Sequence, residues 1–155
     1  MAVVLTDLLD EQQVELDLRG RMRDDALQEI VDLLQTNGKI ADGEKFLATV
    51  LARERTTSTL TENGIAFPHA RTDLVKEIVL GIGRSKGGIR FENSREPVYL
   101  IFVIGVPKQM IQDYLVCVGA LARLSKDDSI RGALLETKTR AEFVEQLRNA
   151  SLLLE

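Results

Sequence analysis

Val98-Tyr99-Leu100-Ile101-Phe102-Val103-Ile104-Gly105-Val106 decides the architecture of this chain. The run carries no charge and is rich in β-branched and aromatic residues, which describes a strand. Both alternate sets of side chains are apolar, so both faces need cover. Such a strand belongs in the middle of a sheet with helices on either side. Pro107 closes the run, because proline has no N–H to extend a ladder.

Upstream, Ile78 to Ile82 reads as a second strand. Gly87-Gly88, between Ser85 and Phe91, predicts a turn with short edge strands around it. Gly64-Ile65-Ala66-Phe67-Pro68-His69 reads as a short extended piece, since the residue before proline is pushed out of the α region. Val14 to Leu18 is expected to add an early strand.

Helical periodicity fills the rest. Leu27, Ile30, Val31 and Leu34 follow Arg23-Asp24-Asp25, and Asn37-Gly38 supplies a left-handed stop. Asp42 is the expected N-cap of a second helix striped by Phe46, Leu47, Val50 and Leu51. Arg55 to Asn63, with its threonines and a serine, reads as a loop. Beyond Pro107, Ile111, Leu115, Val118 and Ala122 mark a third helix. Asp127-Asp128 begins a fourth, burying Ile130 and Leu134. Thr139-Arg140-Ala141-Glu142 fits a capping box ahead of Phe143 and Leu147. The expectation is an α/β chain: one domain over residues 1–155, with a mixed β-sheet flanked by helices on both sides.

Composition narrows the function. The 155 residues suit one core, with 45% apolar and 28% charged residues. A net charge of −4 argues against nucleic acid as a partner, because phosphate backbones demand a surplus of Lys and Arg. No apolar run approaches the roughly 18 residues of a membrane span, so no membrane insertion is expected. The N-terminus lacks the basic segment and apolar stretch of a signal peptide. Cys117, alone, gives no sign of an oxidising compartment, and the expected address is cytoplasmic.

Chemistry converges on His69, the single histidine. One His and one Cys far apart make a metal site improbable. No Gly-x-Ser-x-Gly elbow, Walker loop or dinucleotide fingerprint occurs. Nucleophilic use of the imidazole itself remains. Pro68 stiffens the backbone entering His69. If Nδ1–H donates to a backbone carbonyl, Nε2 is the free nucleophile. Arg53-Glu54, followed by Thr56, Thr57, Ser58 and Thr59, offers a planar guanidinium and neutral donors, the set a phosphoryl group requires. The plainer alternative is a polar loop beside a solvated arginine.

Arg53-Glu54-x-x-x-Ser58-Thr59-x-x-x-Asn63-Gly64-Ile65-Ala66-Phe67-Pro68-His69-Ala70-Arg71 resembles the signature of the fructose/mannitol-type enzyme IIA domains of the bacterial phosphotransferase system, including the nitrogen-regulatory enzyme IIA. The resemblance implies a mixed sheet flanked by helices and a phosphohistidine carrier without metal or organic cofactor. Phosphoryl would come from an HPr-type carrier protein, or its nitrogen-branch counterpart, onto Nε2 of His69. It would pass to an enzyme IIB or set the state of a regulated target protein. Arg53 would support the phosphoryl group, with Ser58 and Thr59 beside it. From their positions in the chain, Phe67 and Ile111 are expected to rim the docking surface. No fused HPr, IIB or membrane domain is expected, and the nitrogen-type regulatory use is therefore expected over sugar transport.

Two departures from the signature matter. A second histidine frequent in the family is replaced by Tyr114, which either donates to a phosphate oxygen or packs against the sheet edge. Thr57, Leu60 and Glu62 stand where glycines are usual, which could close part of a phosphate cradle. These departures motivate an alternative: a degenerate module that keeps the fold, carries no phosphoryl group and binds a partner constitutively.

Overall fold

The computed structural model describes residues 4–61, 63–92 and 94–152. Among these residues five strands form one mixed sheet: β1 (Val14–Glu15), β2 (Ile65–Ala66), β3 (His69–Arg71), β4 (Val79–Ile89) and β5 (Val98–Val106). β5 is central as expected: β4 runs antiparallel on one side of it, and β2 and β3 run parallel on the other. β1 pairs in parallel with the far side of β4.

The side chains of β5 explain why it sits there. Leu100, Phe102, Ile104 and Val106 enter one apolar cluster, with Tyr114, Leu121, Leu134, Phe143 and Leu147 from the helices of that side. Ile101 and Val103 enter the other, with Leu27, Ile30, Val31, Leu34, Phe46 and Val50. The first layer is α3 (Ile111–Ser125), α4 (Asp128–Glu136) and α5 (Arg140–Leu152); the second is α1 (Arg23–Thr36) and α2 (Gly43–Thr56). Among the described residues no helix is long and apolar enough to cross a membrane.

Helix ends follow the local signals. The side chain of Asp42 accepts from Lys45 N at the start of α2, and Asp127 accepts from Ile130 N at the start of α4. Gly38 takes φ 74° just past α1. The capping box of α5 is half built: Thr139 Oγ1 accepts from Glu142 N, but the Glu142 carboxylate accepts from Lys138 N instead of Thr139 N.

Several expectations are corrected. Gly87-Gly88 is not a chain reversal. β4 runs on through it, and Gly88 at φ 88° absorbs a bulge before Ile89 re-pairs with Val98. The predicted short edge strands are therefore one long strand between β1 and β5. The early strand covers only Val14 and Glu15. α3 is rotated from its predicted stripe: Tyr114, Cys117, Leu121 and Leu124 are buried, while Leu115 is 57% exposed. Glu62 lies outside the described residues.

Arg84, unremarked in the sequence, is buried on β4. Its Nη1 donates to the carbonyls of Leu134, Leu135 and Thr137, and its Nε to Leu16 O. A guanidinium at the C-terminal end of α4 meets the negative pole of that helix, which stabilises the buried charge without a carboxylate.

Candidate active site

Proline 68 divides the edge of the sheet. It has no N–H, so the ladder breaks between β2 and β3 and resumes with His69 opposite Ile104. At this edge, beside β3, the two helical layers approach each other around a hollow of about 290 Å³. α2 contributes Thr49 and Arg53, four residues apart and so on one helical face. β3 contributes His69 and Arg71, two apart and so on one side of the strand. α3 contributes Ile111 and Tyr114. No carboxylate is among the described residues that line it, in a chain whose net charge is −4.

His69 is half-buried, with Nδ1 3.2 Å from the carbonyl oxygen of Phe67. A carbonyl only accepts, so Nδ1 carries the hydrogen and Nε2 keeps its lone pair. Burial holds the ring's pKa below the ordinary histidine value. The Phe67 carbonyl opposes that shift, Arg53 adds to it, and Glu54 opposes it. A neutral imidazole with one free nitrogen is a nucleophile at pH 7.

The pH dependence follows with its sign. A depressed folded-state pKa means that the unfolded chain binds the proton more readily. The stability His69 contributes is therefore full above ~6.5 and is lost as pH falls from there through the folded-state value. NMR titration of the ring protons is expected to give a midpoint below the free-histidine value. A midpoint at or above it would remove the burial argument.

The Tyr114 ring lies 5.1 Å from the His69 ring, tilted by 37°. Burial raises its phenol pKa, against a smaller opposing effect of Arg53, so the hydroxyl stays a donor at neutral pH. The side chain of Tyr114 packs into the apolar cluster on its side of the sheet, and it also lines the hollow. Arg53 is fixed at the end of α2 by donation from Nη1 to Thr57 O at 2.7 Å.

The structure does not bring Ser58 and Thr59 to the hollow. Ser58 lines a separate, smaller hollow with Arg55 and Leu60, and its hydroxyl accepts from Leu60 N. Thr59 donates its hydroxyl proton to the buried Glu54 carboxylate at 2.6 Å, and its N–H meets the same carboxylate at 2.9 Å. The Thr59 hydroxyl also accepts from Phe67 N at 3.2 Å. Glu54 and Thr59 therefore clasp the end of α2 to Phe67, the residue whose carbonyl orients His69. Thr59→Ala is expected to cost about 1–3 kcal/mol in urea denaturation, because a buried carboxylate loses a partner. Thr59→Ser should restore most of it, and an unchanged Thr59→Ala midpoint would dismiss the clasp.

Other placements differ from the sequence reading too. Phe67, expected at a docking rim, is buried and stacks on Phe102 with ring centroids 5.6 Å apart. Ile111 does line the hollow. Arg71 and Thr49 were given no role from sequence. Strand alternation from His69 would have found Arg71, and the four-residue step from Arg53 would have found Thr49.

Residues 7–150 match the family model described as phosphoenolpyruvate-dependent sugar phosphotransferase system, EIIA 2. The chain is 32% identical over 128 residues to the PTS system fructose-specific EIIA component of Haloferax volcanii, covering 82% of this chain and 83% of that one. It is 29% identical over 142 residues to the PTS system fructose-specific EIIABC component of Bacillus subtilis. That match covers 91% of this chain but spans 22% of the longer relative. The nitrogen regulatory protein IIA-Ntr from Neisseria meningitidis shares the fold at a TM-score of 0.79 and 24% identity, over 92% of this chain and 97% of that one.

Proposed function

We propose that this chain carries a phosphoryl group on Nε2 of His69, proceeding from the fact that it belongs to the EIIA 2 family of the phosphoenolpyruvate-dependent sugar phosphotransferase system. One observation carries the proposal: His69, half-buried and with Nδ1 held by the Phe67 carbonyl so that Nε2 is left free, lines a hollow with the guanidiniums of Arg53 and Arg71 and no described carboxylate.

In the proposed step the Nε2 lone pair attacks phosphorus while the phosphorus–nitrogen bond of a donor phosphohistidine breaks. The donor leaves as neutral imidazole. The positive charge that develops on the His69 ring is met by the Phe67 carbonyl at Nδ1–H. Arg53 neutralises the equatorial oxygens, and the Tyr114 hydroxyl donates to one of them. Positioning and electrostatics supply the catalysis. Ser58 and Thr59 take no direct part.

The donor is an HPr-type carrier protein and the setting is the cytoplasm. Two uses share this chemistry. The regulatory use expected from sequence would read out the phosphorylation state through a target protein. The sugar-transport use is favoured by the two fructose-specific relatives at 29% and 32% identity. Incubation with phosphoenolpyruvate, enzyme I and HPr should add one acid-labile phosphoryl group, read by intact mass. Onward transfer to a fructose-type enzyme IIB then supports transport, and its absence supports regulation. An unmodified chain, under conditions that load a known enzyme IIA, would favour the constitutive module.

A further inference from the structure

Phosphoryl carriers must hold a dianion on a surface open enough for partner proteins to reach it. Arg53 supplies one positive charge to the hollow from the α2 side. Arg71 supplies a second from β3. It is exposed, lies on the same side of β3 as His69, and lines the same hollow.

The guanidinium of Arg71 is fixed in a way that resembles Arg53. Its Nε and Nη2 donate to Lys108 O at 3.2 and 2.9 Å, just as Arg53 Nη1 donates to Thr57 O. Each arginine is thus anchored by one backbone carbonyl on a loop or turn beside the hollow. Among the described residues Nη1 of Arg71 has no partner, and Arg71 makes no ion pair. The neighbouring cation, Lys108, has its Nζ paired with Asp73 at 3.4 Å. Tyr114, which also lines the hollow, is a neutral donor and adds no charge. A planar guanidinium held on one edge and open on the other is suited to oxygens of a phosphate.

We propose that Arg71 is the second phosphate-holding cation of the site, its open edge binding oxygens of the phosphoryl group on His69 from β3 while Arg53 reaches in from α2. The inference rests on the carrier reading for its substrate, but the anion site it describes can be tested without phosphoryl transfer.

Wild type, Arg71→Gln and Arg71→Lys should be titrated with inorganic phosphate, following the His69 ring and the backbone of residues 69–71 by NMR. Arg71→Gln is expected to bind phosphate on the order of 10-fold more weakly, with partial recovery in Arg71→Lys, which restores charge without the planar fork. After loading by phosphoenolpyruvate, enzyme I and HPr, phosphorylated Arg71→Gln should hydrolyse on the order of 10-fold faster than wild type. A strap between β3 and the turn at Lys108 would instead lower the melting temperature and leave phosphate affinity unchanged, and that result would overturn the assignment. Arg71-dependent phosphate binding in a chain that HPr never loads would sink the carrier reading and leave Arg71 as an anion ligand. A wild type that loads normally, with Arg71→Gln equal to it in both measurements, would sink Arg71 alone.

Discussion

His69→Ala is expected to take up no phosphoryl group under conditions that load the wild-type chain. No other side chain can replace the ring. The chain has no second histidine. Cys117, the remaining strong nucleophile, is buried, and burial together with Asp113 and Asp7 pushes its thiol up to about 11. A thiol of that kind is protonated at pH 7 and does not attack phosphorus. The substitution should leave the fold intact, because it removes a half-buried ring at the sheet edge and leaves the two apolar clusters whole. Acid-labile modification of a folded His69→Ala protein would contradict the proposal.

Arg53→Ala is expected to lower the rate of phosphoryl acceptance by on the order of 10²-fold or more, the usual consequence of losing one principal electrostatic donor. Folding should survive. The only hydrogen bond its side chain makes among the described residues is the one to Thr57 O, at an exposed helix end. Arg53 also contributes to holding the His69 pKa down. Its loss therefore shifts the ring's titration upward as well as slowing transfer, and the two effects separate in a pH–rate profile measured with phospho-HPr. A folded Arg53→Ala chain that is loaded at near wild-type rates would take the arginine out of the mechanism.

How much of this was legible in the sequence depends on whether the signal was local. The central strand was readable because two-sided burial forces an unbroken apolar run, and β5 spans Val98–Val106 as expected. Helix starts at Asp42 and Asp127 were readable because a cap is made within four residues. The phase of α3 was not: its apolar residues nearly encircle the helix, and only the sheet beneath decides that Tyr114 and Cys117 turn inward while Leu115 and Val116 stay exposed. Gly87-Gly88 suggested a reversal because two glycines allow one. Re-pairing of Ile89 with Val98, a tertiary contact, turned it into a bulge.

The site divides in the same way. His69, Arg53 and Tyr114 were named from the sequence and meet in one hollow. Ser58 and Thr59 were assigned to phosphate because hydroxyls near an arginine suit it. The sequence carries no sign that Glu54 is buried and claims the Thr59 proton for itself. Strand alternation from His69 points to Arg71, but the anchoring of its guanidinium on the carbonyl of Lys108, 37 residues away, has no local signal.

The most direct test is where phosphorus sits on the ring. Long-range nitrogen–proton NMR of chain labelled in the imidazole nitrogens, recorded before and after loading by phospho-HPr, reads both nitrogens at once. The free ring should show hydrogen on Nδ1 and a bare Nε2, and the loaded ring should show phosphorus bonded to Nε2. A free ring protonated on Nε2, or phosphorus found on Nδ1, would contradict the role given to the Phe67 carbonyl and the mechanism with it.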